Sequence, residues 1–257
     1  HTLNLGGSAI GSGINVSYHY QVHVIPKLET VTGLELFQAV DLFDATQNLD
    51  VFTTLSGALK TLAVNLSKMS NDLRLLSSGP RSGLSEINLP ARQAGSSIMP
   101  GKVNPVIPEV VNQVAFEVIG NDATITAAVE AGQLELNAFE PVLFYRMFAS
   151  ITHLTSAMKT FREHAIAGIT HNEERLAKDI DLSASFATAM ANMVGYKKAA
   201  ELAKESLKTN RPLRECAIAS GIFTDEQLAH IFAVEEIVVN ARTPEHGLVL
   251  KRAGYTS

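Results

Sequence analysis

Phe52-Thr53-Thr54-Leu55-Ser56-Gly57-Ala58-Leu59-Lys60-Thr61-Leu62-Ala63-Val64-Asn65-Leu66-Ser67-Lys68-Met69-Ser70-Asn71-Asp72-Leu73-Arg74-Leu75-Leu76 is the stretch that decides the fold. Phe52, Leu55, Leu59, Leu62, Leu66, Met69, Leu73 and Leu76 recur alternately three and four residues apart. That heptad seam runs for about seven turns, far beyond any strand alternation, and predicts one long helix. Ser77-Ser78-Gly79-Pro80 is its expected stop.

Working outward, Phe139, Leu143, Met147, Ile151, Leu154, Met158, Phe161 and Ala165 form a second seam. Between the two, Val110, Val111, Val114, Val118 and Ile119 are expected on one side of a third helix. Helices of about 30 residues reach some 45 Å, too long for a small globule. They suit a long bundle, and seams this apolar call for partners beyond one chain. The fold class expected is all-α: a long-helix bundle over residues 1–172 and a small helical C-terminal domain over 173–257. In the latter, turn signals crowd at Gly195, Asn210-Arg211-Pro212 and Gly221, and Thr224-Asp225-Glu226-Gln227 reads as a capping box.

Composition narrows the function classes. Of 257 residues, 46% are apolar and 18% charged, a globular rather than disordered balance. A net charge of −5 without a lysine or arginine run argues against nucleic acid as a partner. No apolar run approaches the ~18 residues of a membrane span, so no membrane partner is expected. Cys216 is the single cysteine and excludes an internal disulfide. Nothing resembling a signal peptide opens the chain, and cytoplasm is the expected location. The first residues, His1-Thr2-Leu3-Asn4, carry no initiator methionine and read as a start in mid-element, so a piece of a longer protein is expected.

The chemistry concentrates in Gly95-Ser96-Ser97-Ile98-Met99-Pro100-Gly101-Lys102-Val103-Asn104. Gly95 to Val103 is not a phosphate-binding P-loop. Five residues rather than four separate Gly95 from Gly101, Val103 replaces the magnesium-binding hydroxyl, and no strand precedes it. A Ser-Lys hydrolase built on Ser96 or Ser97 with Lys102 lacks the nucleophile elbow. Proton abstraction beside a carboxylate suits the residues better. Lys102 and Asn104 would hold the carboxylate, the helix opening near Pro105 or Pro108 would add N–H groups and a favourable dipole, and a serine in that field would ionise more readily. Glu109, one turn on, could orient a further group. From the residues alone, a plain glycine-rich connector still competes with this reading.

The same ten residues resemble the signature loop of the aspartase/fumarase superfamily, whose members release fumarate from succinyl compounds. Gly6-Gly7-Ser8-Ala9-Ile10-Gly11, Asn71-Asp72-Leu73-Arg74-Leu75-Leu76-Ser77-Ser78-Gly79-Pro80-Arg81 and Gly83-Leu84-Ser85-Glu86-Ile87 are similar to other family segments. The likeness runs from about Leu3 to Phe232. Val106-Ile107-Pro108-Glu109-Val110-Val111-Asn112-Gln113-Val114-Ala115-Phe116 resembles the aspartase branch, and so does Gly132-Gln133-Leu134-Glu135-Leu136-Asn137 with Glu140-Pro141. Fumarase is the runner-up, and a catalytically incomplete fragment of such an enzyme is the further alternative.

The resemblance implies elimination of ammonia from L-aspartate, with Ser96 as general base and Lys102 and Asn104 on the carboxylate. Ser97 is a loop hydroxyl counted with the substrate-binding residues. Glu109 would pair with a histidine from a segment upstream of this chain. It further implies a homotetramer whose sites are shared between subunits, a small dicarboxylate or amino-acid substrate, and no cofactor or metal. Two family segments that contribute to the site are missing from these residues. Met190-Ala191-Asn192-Met193-Val194-Gly195-Tyr196 also lacks the proline that the family usually carries there. Ser8 and Ala94 are milder departures.

Other polar residues read as structural. His19 and His23 have helical metal-ligand spacing but lack a glutamate partner or third ligand. His153 and His164 flank the second seam. Asp41, Asp44 and Asp50 suggest a solvated helix face, and Cys216 a small core residue. Asn112, Gln113 and Asn137 are expected within helices, bonded across the bundle where buried.

Overall fold

The computed structural model describes residues 1–233 apart from Ala94, Ser96, Ser97 and Pro100; within helical segments, the side chains of Asp181 and Ala184 are also left aside. The chain divides into two compact units, the first His1–His171 and the second from Asn172 onward.

The first unit opens with β1 (Thr2–Leu3), α1 (Tyr18–Thr32), β2 (Phe37–Gln38) and α2 (Leu42–Gln47), with β1 and β2 paired in parallel. Its body is three long helices: α3 (Asp50–Leu76), α4 (Val106–Glu130) and α5 (Glu140–His164). Between α3 and α4 lies β3 (Ile87–Asn88), which pairs antiparallel with β4 (Thr170–His171). Cross-helix bonds fix the directions. Ser56 reaches Asp122 while Ser67 reaches Asn112, so α3 and α4 are antiparallel. Asn121 donates to Ser150 and His153 meets Glu117, so α4 and α5 are too.

One core cluster joins Ala63, Leu66, Val111, Ala115, Val118, Leu154, Ala157, Phe161 and Ala165; a second joins Leu49, Ile125, Ala128, Leu143 and Met147. Fully burying one such leucine stabilises by about 1.5–3 kcal/mol. Phe52 meets Phe144 edge to face at 5.0 Å, closing the second cluster.

The seams differ from expectation in which residues they bury. In α3 the buried residues are Ser56, Ala63, Leu66 and Ser70, with Leu59 and Leu73 packed beside them, while Leu55 and Met69 are exposed. The small side chains at Ser56, Ala63 and Ser70 let α3 approach α4 closely, and Leu55 and Met69 turn outward. On α4, Val111 and Val118 are buried but Val110 and Ile119 are exposed. On α5, Phe139 and Ile151 are exposed, and Ser150 and Ala157 take buried places.

Several polar residues also part from expectation. Asp41 caps α2 by accepting from the N–H groups of Phe43 and Asp44, and Asp50 stands in the first turn of α3, so these acids serve helix starts rather than one solvated face. Asn137 lies between α4 and α5, where it donates to the Ala128 and Val129 carbonyls and accepts from the Phe139 N–H. Gln113 agrees with expectation: it lies within α4, is exposed, and bonds back to the Glu109 carbonyl.

The second unit holds α6 (Glu173–Leu182), α7 (Ala187–Val194), α8 (Tyr196–Thr209), α9 (Leu213–Ser220) and α10 (Asp225–Ile231). Phe186, Met190, Leu202, Leu213, Cys216 and Ile231 share its core. Without a proline, α7 runs straight through Met190–Val194 and stops at Gly195. Thr224 and Gln227 form the expected capping box. No described helix is long and apolar enough to cross a membrane.

Candidate active site

Antiparallel packing brings three helix ends together: the C-termini of α3 and α5 and the N-terminus of α4. Beyond α3 the chain folds back on itself. Leu84 N–H donates to Ser78 Oγ (3.1 Å), Ser85 N–H to the Ser78 carbonyl (2.8 Å) and Glu86 N–H to the Leu76 carbonyl (2.9 Å). This places β3 and the segment after it beside the signature loop.

The loop returns to α4 through short-range bonds. Lys102 N–H donates to the Met99 carbonyl at 3.2 Å, and Val106 N–H to the Asn104 carbonyl at 2.9 Å. Gly95 abuts Lys102 so closely that a β-carbon there would overlap the Lys102 carbonyl oxygen. Glycine is required by that contact alone.

Between the fold-back and the loop lies a cavity of about 500 Å³. Ser77, Ser85 and Asn88 from the fold-back and Lys102 and Asn104 from the loop line it, with Pro80, Leu89, Pro90, Met99 and Val103 as apolar lining. Lys102 is the single ionisable side chain among these lining residues. The side chains of Lys102, Asn104 and Glu109 form no hydrogen bond or ion pair with another described residue. A cation and a carboxamide on a partly apolar wall, both without partners among the described residues, suit a small carboxylate.

The α4 start offers less than expected. Val106 N–H is taken by Asn104, Pro108 has no N–H, and Glu109 N–H donates to the Pro105 carbonyl, which leaves Ile107 N–H in the first turn. The favourable end of the helix dipole remains.

The family model described as Lyase matches residues 1–120, and the one described as Fumarase C C-terminus matches 186–238. An aspartate ammonia-lyase of Bacillus sp is 52% identical over 231 residues, covering 90% of this chain and 49% of that protein. The chain belongs to the aspartase/fumarase superfamily. It spans about half the length of the curated relatives it matches. A crystal structure of fumarate lyase:delta crystallin from Brucella melitensis bound to cobalt is similar at a TM-score of 0.84 and 50% identity, over 89% of this chain and 50% of that one. A class II fumarase from Schistosoma mansoni is similar at the same TM-score with 33% identity, over 90% and 51% of the two chains.

Of the residues that the superfamily resemblance singles out, the structure brings Lys102 and Asn104 to one cavity. Glu109 is half-buried in the first turn of α4 and is not among the lining residues. Ser96 and Ser97 lie outside the described residues. His19 and His23 stack at 4.2 Å on α1, and among the described residues no three His, Cys, Asp or Glu gather to hold a metal.

Sequence reasoning missed the lining from the fold-back, Ser77, Ser85 and Asn88. Ser77 and Ser85 stood inside segments already similar to the family, and the Ser85 backbone, at φ 51°, signals a forced turn. Behind the site, Asn112 is buried and bonds across the bundle to α3 as expected, although its partners were not foreseen. Asn112 Nδ2 donates to the Ser67 carbonyl, Ser67 Oγ and Asn71 Oδ1, while Arg74 donates to Asn112 Oδ1 at 3.3 Å.

Proposed function

We propose that the protein works as an aspartate ammonia-lyase, converting L-aspartate to fumarate and ammonia. The observation that carries this reading is the joint placement of Lys102 and Asn104 on a cavity with no other ionisable side chain among its described lining residues, in a chain about half identical to aspartate ammonia-lyases. Ser96 takes the Cβ proton. The C–H electron pair moves onto the adjacent carboxylate, giving an enediolate, and its collapse forms the carbon–carbon double bond as ammonia leaves Cα.

Lys102 and Asn104 hold that carboxylate. Their grip strengthens as charge develops on it, which is where the rate acceleration arises. Glu109, outside the cavity lining, orients a histidine supplied by another segment. Ser97 helps to bind substrate at the loop. Residues beyond this chain complete the site, which is shared between subunits of a homotetramer. Exposed Phe116, Tyr145 and Phe148 on α4 and α5 support helix-to-helix assembly, since apolar faces of this kind mark interaction surfaces.

Fumarate hydration is the second reading, favoured by the match to the Fumarase C C-terminus model. Parallel assays on L-aspartate and L-malate separate the two, with fumarate from aspartate alone supporting the lyase. A mass by light scattering four times that of the protomer supports the tetramer, and a monomer refutes it.

A further inference from the structure

We propose that Arg92 is a positioning residue for the signature loop, fastening the loop's entrance to the end of α5. Its Nε donates to the His164 carbonyl at 3.1 Å and Nη2 to the Glu163 carbonyl at 3.5 Å. Both carbonyls belong to the last turn of α5, where helical partners run out and the helix dipole is negative. A guanidinium answers both deficits at once, with two donors in a fixed fork.

The location gives the contact its role. Phe161 and Ala165, at the same end of α5, share a core cluster with Val111 and Ala115 of α4. The loop therefore leaves from a point tied to α5 and re-enters at Val106 on the helix packed beside it. With both roots on one rigid pair, the Gly95 to Lys102 neck and the cavity wall at Lys102 and Asn104 are held in place.

A second set of contacts runs along the same strap. Ile87 and Asn88 pair with His171 and Thr170, and Asn88 Nδ2 donates to Thr170 Oγ1 at 3.2 Å. Pro90 lies against Gly168, where a β-carbon would come within 2.5 Å of Pro90 Cγ. Arg92 ends this strap. It is exposed, so its loss removes the fastening without opening a cavity in the core.

For catalysis the inference rests on the lyase reading above; for loop order it does not. The test compares Arg92→Ala, Arg92→Lys and the surface control Arg162→Ala in the full chain. Deuterium uptake is followed over residues 86–105, alongside the melting temperature and, where fumarate is released, kcat and KM. Arg92→Ala is expected to speed exchange in 86–105 by about tenfold, as loss of charge-assisted bonds implies. Arg92→Lys restores part of the protection, and Arg162→Ala matches wild type. In active protein, kcat falls about tenfold or more while KM moves less, the mark of a misplaced grip. Unchanged exchange in Arg92→Ala overturns the proposal. Altered exchange in a protein that turns over neither substrate even when complemented with the half of a relative that it does not cover leaves the fastening intact and removes the lyase reading.

Discussion

Gly95 and Lys102 touch backbone to backbone, and a β-carbon on Gly95 would collide with the Lys102 carbonyl oxygen. The contact closes the signature loop at its neck and sets where the Lys102 side chain emerges. Gly95→Ala should therefore leave helix content unchanged by circular dichroism and lower kcat/KM by about 10²-fold, the scale on which a small displacement of a gripping residue is felt.

Lys102→Met keeps the length of the side chain and removes its charge. On the proposed lyase reading, the developing enediolate would then lose the single cationic group among the described lining residues. The expected loss in kcat is about 10²–10³-fold, as for removal of a single charge-stabilising donor. Steady-state kinetics on L-aspartate check this, and an unchanged kcat would place the carboxylate elsewhere.

Behind the loop, Asn112 is buried at 3% exposure and engages Ser67, Asn71 and Arg74 together. Asn112→Leu keeps volume but strands these partners. It should destabilise by about 1–3 kcal/mol in urea unfolding, more than Gln113→Leu on the exposed side of the same helix.

Asp122 gives the fold an acid limit. Burial pushes its carboxyl up, but hydrogen bonds from Lys60 and Ser56 and the Lys60 charge outweigh that, and its pKa lies below the ordinary 3.8. A group depressed in the folded state stabilises fully above its unfolded pKa, and the gain disappears as pH falls through the lower folded value. Wild type should lose stability on acidification below about pH 4, whereas Asp122→Asn is less stable at pH 7 and flatter over that range. Thermal melts between pH 3 and 7 test it.

Long helices were legible because their apolar residues repeat with the helical period over many turns. Which face is buried was only half legible. Leu59, Leu62, Leu66 and Leu73 pack inward as the seam implies, but Ser56, Ala63 and Ser70 complete that face instead of Leu55 and Met69. Hydrophobic periodicity cannot see close approach between helices, which selects small residues.

The site followed the same division. Lys102 and Asn104 stood within ten contiguous residues and could be read together. The fold-back lining, the partners of Asn112, the bond from Lys60 to Asp122 (2.5 Å) and the Arg92 fastening join residues far apart in sequence. Such pairs are set by the register of packed helices, which sequence spacing does not encode. The α4 start was over-read, because Pro108 and the bonds of Val106 and Glu109 remove donors that a generic helix would offer.

One assay bears on the lyase reading before all others: fumarate formation followed by ultraviolet absorbance, with L-aspartate and L-malate in parallel. The chain is assayed alone and together with the half of an aspartate ammonia-lyase relative that it does not cover. Release from L-aspartate only, in the complemented sample, with loss of at least about 10²-fold in Ser96→Ala, is the result expected. Release from L-malate in preference, or undiminished turnover in Ser96→Ala, would contradict it.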